Sequence, residues 1–445
     1  MKQTVFFEGS PWKVIWQMCV PSVLTILVMM IYNMADIFFI GQLNNTMMVA
    51  GLTVATPIMS VLSALGSMIG GGACAALANA IGDKQWNKAK SLSSFAFWGA
   101  ALTGLGFMLV IQLSLEPLLE FAGAKSGSMP YAKTYLRIIS LGAPLMIVPT
   151  ACGSLIRAEG AAKQAMLGNM LGTVTNIILD PILILLLRMD VAGAAIATVI
   201  ANGISCGYYI WYLTKKTAVL TMVPQFFTLR HGIPQKVLVL GLPTAVGTLM
   251  SSASTLLSNN LLSGYSESAL AARGVSSKVI MIVTMLQMGI TMGIQPVLAY
   301  FYGAKNTGKL KEYLQKCALV TVIAGASLTG ICLIFGPQLL GFFLDDPEVI
   351  KQGTVFIRIG ILAGPIAGIQ QLSTSFLQST EKPAYALILA LTRDGLVYLP
   401  LLYLLDHFYG ITGYIVARPV ATLACAMLGL TFILRRYRQL QQKFA

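Results

Sequence analysis

Charge is scarce in this chain. Asp, Glu, Lys and Arg together make up 10% of 445 residues, against 56% hydrophobic ones, and the mean hydropathy is +0.76. A soluble fold of that composition would leave large apolar patches in water, so a water-soluble globular protein is excluded. Histidine is rarer still. His231 and His407 are the only two, far apart in predicted connecting segments, which leaves no basis for a His-based metal or catalytic centre. The seven cysteines lie in or beside apolar runs with no CxxC spacing, so free thiols are expected and not disulfides or a thiolate metal site. Strict apolar and polar alternation is missing, which excludes a membrane barrel. No nucleophile is paired with a base, so the chain is not read as an enzyme.

What the chain has in abundance is long apolar runs. At 1.5 Å per residue, about 20 helical residues cross a hydrocarbon core of roughly 30 Å. Breaker clusters divide the sequence into helices predicted at 13–40, 48–81, 92–119, 130–158, 163–187, 192–214, 235–262, 268–303, 311–335, 350–379, 383–405 and 411–434. The fold class is therefore an all-α polytopic membrane protein of twelve transmembrane helices. Lys and Arg collect on every second loop, around Lys84 to Lys90, Arg157 and Lys163, Lys215 to Lys236, Lys305 to Lys316, Lys382, and Arg435 to Lys443. That bias places both termini of a multi-pass membrane protein in the cytoplasm. The net charge of +14 then reports topology and not a nucleic-acid partner. The first apolar run is too long for the core of a cleavable signal, so none is expected.

An internal repeat organises the helices. At an offset of 221, "LANAIGDKQWNKAK" (77–90) falls on "LAYFYGAKNTGKLK" (298–311), and the same register pairs Arg137 with Arg358, Pro144 with Pro365 and Ser154 with Ser375. A duplicated six-helix unit with an even number of spans gives two lobes related by an axis along the membrane normal. The N-lobe is expected over 1–214, a cytoplasmic linker over 215–234 and the C-lobe over 235–445. The stretch "GAKNTGKL" imitates a phosphate-binding loop, but Leu310 stands where Ser or Thr would hold the metal, and the segment follows a helix. No nucleotide is implied.

Intramembrane polarity supplies the functional candidates, because an ionised side chain at a helix centre costs about 2.5–3.5 kcal/mol on insertion scales. Asp36 stands in the apolar run "IYNMADIFFIG", and Asp180 in "TNIILDPILI". Asn176 and Asp180 are four residues apart and share a helix face. Pro181 frees the carbonyl four residues before it. Thr198 could bring a hydroxyl to the same place. Two carboxylates in a weakly hydrated lobe would favour a shared proton or a bound sodium ion. Met281, Met285, Met288 and Met292, at helical spacing, suit either an adaptable apolar wall or a lipid-facing stripe.

Taken together, Pro21 fifteen residues before Asp36, the pair Asn176 and Asp180, Thr198, the duplicated "LAxxxG" helix ends and "GIQPVLAYFYGA" resemble the MATE family of multidrug and toxin extrusion transporters over essentially the whole chain. The closest branch looks like the bacterial DinF and MepA type, which implies a place in the bacterial plasma (inner) membrane. The resemblance implies two pseudo-symmetric six-helix bundles forming a V-shaped cleft. It also implies export of toxic, usually cationic, organic compounds by proton or sodium antiport with alternating access. Asp36, Asn176, Asp180 and Thr198 match the family's N-lobe cation site, and would be the metal ligands if sodium is the coupling ion. Pro21 matches the proline at which helix 1 bends. Helices 7 and 10 lack the acids that one branch carries, so a C-lobe cation site is not expected. The C-lobe offers Lys278, Gln287, Gln295 and Arg393 instead, which with Met281 and Met285 are the substrate-cleft candidates. Beyond H+ or Na+ as coupling ion, no cofactor is expected. The expected partners are small-molecule substrates and the lipid bilayer, with no nucleic acid, and the transporter is expected to be a monomer. Two other readings stay open at this point, a lipid-linked oligosaccharide flippase of the same superfamily and a passive channel or sensor.

Overall fold

The computed structural model describes residues 10–41, 45–217, 219–230, 232–262, 264–341 and 346–444; within them, the side chains at 36–38, 40, 41 and 267 are not described. His231 lies outside the described residues. Among the described residues every regular element is a helix. In chain order these are α1 (Pro11–Gly41), α2 (Thr46–Gly82), α3 (Trp86–Leu113), α4 (Leu115–Phe121), α5 (Met129–Leu141), α6 (Ala143–Ala158), α7 (Ala162–Asp180) and α8 (Asp190–Lys215). The second half of the chain adds α9 (Ile233–Leu262), α10 (Glu267–Gly303), α11 (Thr307–Gly341), α12 (Pro347–Gly360), α13 (Gly364–Ser379), α14 (Pro383–Leu391) and α15 (Tyr398–Phe444).

Ten of the described segments are long and apolar enough to span a membrane, and α5 with α6, bent by 52° at Gly142, makes an eleventh. The segment Pro383–Phe444 counts once among the ten although it has 62 residues. At 1.5 Å per residue this is about three times the thickness of a hydrocarbon core. Its backbone leaves helical geometry at Gly410, with φ +55° and ψ −141°, a conformation that only glycine adopts without strain. The segment is therefore two spans, which accounts for the twelve expected.

The chain divides into two compact units. One gathers Leu24–Ala245, the other Gly9–Val23 with Val246–Ala445. Each thus includes the opening stretch of the other repeat's first helix. Both boundaries fall two residues beyond a proline inside a helix, Pro21 in α1 and Pro243 in α9. Glycines seat these stretches. In the first unit a Cβ on Gly72 would fall 1.9 Å from the Val237 carbonyl oxygen of α9; in the second, one on Gly293 would fall 2.6 Å from the Met18 carbonyl oxygen of α1. Only a residue without a side chain lets backbones approach so closely. Gly72 and Gly293 are themselves related by the offset of 221.

The repeat is written in the backbone as well. Lys84 and Lys305, 221 residues apart, both take φ +57° just past the ends of α2 and α10, and Gly160 and Glu381, again 221 apart, take φ +88° and +56° past α6 and α13. Left-handed conformations are uncommon outside glycine, so paired occurrences at one offset mark common construction.

Candidate functional site

The site rests on the pairing of α7 with α8. Ser205 Oγ donates to the Gly168 carbonyl oxygen at 2.8 Å, and Tyr209 Oη to that of Ala165 at 2.6 Å. A Cβ on Gly168 would fall 2.2 Å from the Tyr209 ring, so glycine permits this approach. Toward the opposite end of the pair, Asn176, Asp180 and Thr198 are all buried, with Asp180 at 0% exposure. Orienting the Asn176 amide so that both of its ends are satisfied, Nδ2 donates to Asp180 Oδ2 at 3.0 Å and Oδ1 accepts from the Thr198 backbone N–H at 3.2 Å. The Thr198 hydroxyl donates to the Ala194 carbonyl oxygen at 2.9 Å. One amide therefore ties a buried carboxylate on α7 to the backbone of α8.

The helix changes geometry where this carboxylate sits. From Pro181 to Leu186 the backbone follows a π-helical turn. Proline has no N–H to return to the carbonyl four residues back, which releases the helix from its usual repeat, and such turns recur at functional sites. The turn is anchored by Ile184, which with Ala194 of α8 forms a small core against which Phe39 and Leu52 pack. Phe39 stands three residues, about one turn, after Asp36 in α1. The backbone of Asp36 is helical, but its side chain lies outside the described residues.

Among the C-lobe candidates, Gln287 is buried in α10 and its Nε2 donates to the Gly364 carbonyl oxygen of α13 at 2.5 Å. Gln295 donates to Gln378 Oε1 at 3.1 Å. Both amides thus hold α10 against α13. Met281 and Met285 are half-buried on α10, and Lys278 is exposed. Arg393 is ion-paired, its Nε donating to Asp394 Oδ2 at 2.6 Å. The sequence reading does not single out Asp394, or Arg418, whose Nη1 lies 2.8 Å from Asp394 Oδ1. The signal was available, since Asp394 is an acid in the middle of an apolar span. Asp394 lies in a π-helical turn, Thr392–Leu396, and Asp180 directly precedes one, so the two buried carboxylates adjoin like distortions in corresponding helices of the two repeats.

The basic connection after α8 is strapped to the first unit. Ser93, Ser94 and Trp98 of α3 donate to the carbonyl oxygens of Thr221, Val223 and Met222 at 2.8–3.0 Å. Phe227 stacks on Phe95, and Lys90 lies over the Phe226 ring. Thr217, at the start of this strap, donates to Glu159 Oε1 in the turn between α6 and α7. Burial pushes the Glu159 carboxyl up to about 7, against the hydrogen bonds of Thr217 and Tyr212 that draw it down.

The family model MatE matches this sequence twice, over residues 21–182 and 243–404, segments that begin 222 residues apart. Multidrug export protein MepA of Staphylococcus saprophyticus is 27% identical over 433 residues, covering 97% of this chain and 96% of its own. Multidrug export protein MepA of Staphylococcus haemolyticus is 28% identical over 433 residues, covering 96% and 94%. Among solved structures, an outward-facing conformation of a multidrug resistance MATE family transporter of the MOP superfamily superposes with a TM-score of 0.94 over 99% of both chains, at 21% identity.

Proposed function

Because the chain belongs to the MATE family of multidrug and toxin extrusion transporters, we propose that it exports organic compounds, chiefly cations, from the bacterial cytoplasm in exchange for protons or sodium ions. The observation that carries this reading is the buried carboxylate of Asp180, held by Asn176 beside Thr198. A carboxylate, an amide oxygen and a hydroxyl are the donors a hard cation prefers, and a proton can take the carboxylate directly. Asp36 would complete the site as a second acid, and the Phe39 contact supports bringing its stretch of α1 to the same helix pair.

Coupling follows from the charge. An arriving proton or sodium ion cancels the negative charge that attracts a cationic drug, so the two compete for one electrostatic well. Protonation of Asp180 also weakens its bond from the Asn176 N–H and with it the tie between α7 and α8. The prolines at the unit boundaries, Pro21 and Pro243, are the places where α1 and α9 would bend as access alternates. With one net positive charge moved inward, a potential of 100 mV supplies about 2.3 kcal/mol, enough to sustain a drug gradient of roughly fortyfold. All these groups lie in one chain, so a monomer suffices.

The test is ethidium efflux from proteoliposomes under an imposed pH or sodium gradient. The native protein should transport down one of these gradients, and Asp36→Asn and Asp180→Asn should each abolish the dependence. Native transport without either gradient, or undiminished coupling in both variants, would overturn the proposal and favour a passive pathway.

A further inference from the structure

The second unit holds a charged cluster that cation antiport does not use. Asp394 is fully buried, and Arg393 and Arg418 meet its two oxygens at 2.6 and 2.8 Å. Two cations share one anion, so the cluster carries a net positive charge. Its surroundings are aromatic and hydroxylic. The Arg418 guanidinium lies 4.7 Å from the centre of the Tyr398 ring and that of Arg273 6.0 Å from Tyr414. Ser258 joins the two phenols, accepting from Tyr398 Oη at 3.3 Å and sharing a 2.5 Å hydrogen bond with Tyr414 Oη.

Depth makes this arrangement informative. Arg393 comes ten residues after Pro383, the first residue of α14, about 15 Å into the span and close to the middle of the hydrocarbon core. A guanidinium there is too costly to present to lipid. Yet 31% of the Arg393 side chain and 41% of the Arg418 side chain are exposed. Exposed guanidinium surface inside a span is favoured where it faces a polar space and not lipid. Each guanidinium has five N–H donors, and Asp394 engages a small part of them.

We propose that Arg393 and Arg418 form a binding subsite for an anionic oxygen group, a carboxylate or its equivalent, carried by an amphipathic aromatic small molecule. Asp394 is the resident counter-ion that keeps the empty site from holding two bare cations, and the arriving anion takes over the guanidinium faces that Asp394 leaves open. The planar forks suit a carboxylate in two-point contact, and Tyr398 lies beside them as an aromatic platform for the rest of the ligand. The inference rests on the transport reading only in taking the occupant to be a transported substrate; the binding itself needs no gradient.

The experiment compares rhodamine B, which carries a free carboxylate, with rhodamine B ethyl ester, the same dye without that charge, by fluorescence anisotropy on the intact protein in phosphatidylcholine nanodiscs. Arg393→Gln and Arg418→Gln should each weaken rhodamine B binding about tenfold, the worth of one charge-assisted hydrogen bond, and leave the ester unchanged. Asp394→Asn should tighten rhodamine B severalfold, since it removes the negative charge that repels the arriving anion. The Arg→Lys variants, which keep the charge and lose the fork, serve where a glutamine variant is not monodisperse, and should fall between native and loss. Equal weakening of both dyes, or weaker rhodamine B binding in Asp394→Asn, would show a structural ion cluster and overturn the proposal, as would indifference of rhodamine B to both arginines. Ethidium export measured on the same preparation reports separately on the antiport reading.

Discussion

Asn176 is the residue on which the first unit's polarity turns, because it satisfies a fully buried carboxylate on one side and a backbone N–H on the other. Asn176→Leu fills the space but withdraws the amide's hydrogen bonds from both groups. An unsatisfied buried partner costs about 1–3 kcal/mol, so the melting temperature of the purified protein should fall, and ethidium export should be lost in the same variant. Asn176→Asp should fold less well still at neutral pH, since it sets two carboxylates side by side. This much of the site was legible in the sequence. A spacing of four residues within an apolar run is a statement about one helix face, and the N-lobe pair needs no tertiary information to be noticed. Asp394 is visible as an acid in an apolar span, but no spacing along its own helix marks the partners that make it a cluster. Its second partner, Arg418, arrives from twenty-four residues away across the Gly410 break. Local pattern carries no information on which distant side chain comes home to a buried acid.

At the scale of elements, duplication explains which features come in pairs. The repeat, the span count and the proline in each repeat's first helix are periodic or compositional facts, and these the sequence displays. The unit boundaries within α1 and α9 are not displayed, since they depend on which neighbours each half-helix packs against. Two predictions belong here. Gly293→Val would drive side-chain atoms into the backbone at Met18 and Cys19, and Gly72→Val into that at Val237. Overpacking of this kind costs about 1–3 kcal/mol, so both should lower thermal stability and slow export, whereas Gly106→Val, with nothing within 4 Å of its Cβ, should do neither. The strap after α8 gives the second. Glu159 binds its proton more tightly in the folded state, at about 7, than a carboxylate in water does. The folded arrangement is therefore favoured below the ordinary carboxylate range, and that advantage is lost as pH rises through about 7. Hydrogen exchange at the amides of 219–223, corrected for the intrinsic pH dependence, should show greater protection at pH 6 than at pH 8. Glu159→Gln should remove most of that difference. Equal protection at both pH values in the native protein would mean that the charge state of Glu159 does not govern docking of the strap.

Across the whole molecule, the two halves have kept one backbone and diverged in charge. Each carries a buried aspartate at a π-helical turn of corresponding helices, but Asp180 is met by a neutral amide and Asp394 by two guanidinium groups. The first arrangement is a carboxylate held by a neutral amide, to which a cation or proton brings a balancing charge. The second is balanced already, with charge to spare, so it has nothing to gain from a proton and much to gain from an anion. Under the proposed antiport, coupling to the ion gradient is expected of the first unit. Asp180→Asn should abolish gradient-driven ethidium export, while Asp394→Asn should leave the dependence on the imposed gradient intact, whatever it does to the preference among substrates. Measuring initial rates at several gradient strengths separates these, because a coupling residue changes the slope and a substrate residue changes the intercept or the apparent affinity. If Asp394→Asn instead flattened the gradient dependence as Asp180→Asn does, the two halves would share the coupling work. The arginines of the second unit would then be partners in an ion cycle and not a source of positive charge for ligands.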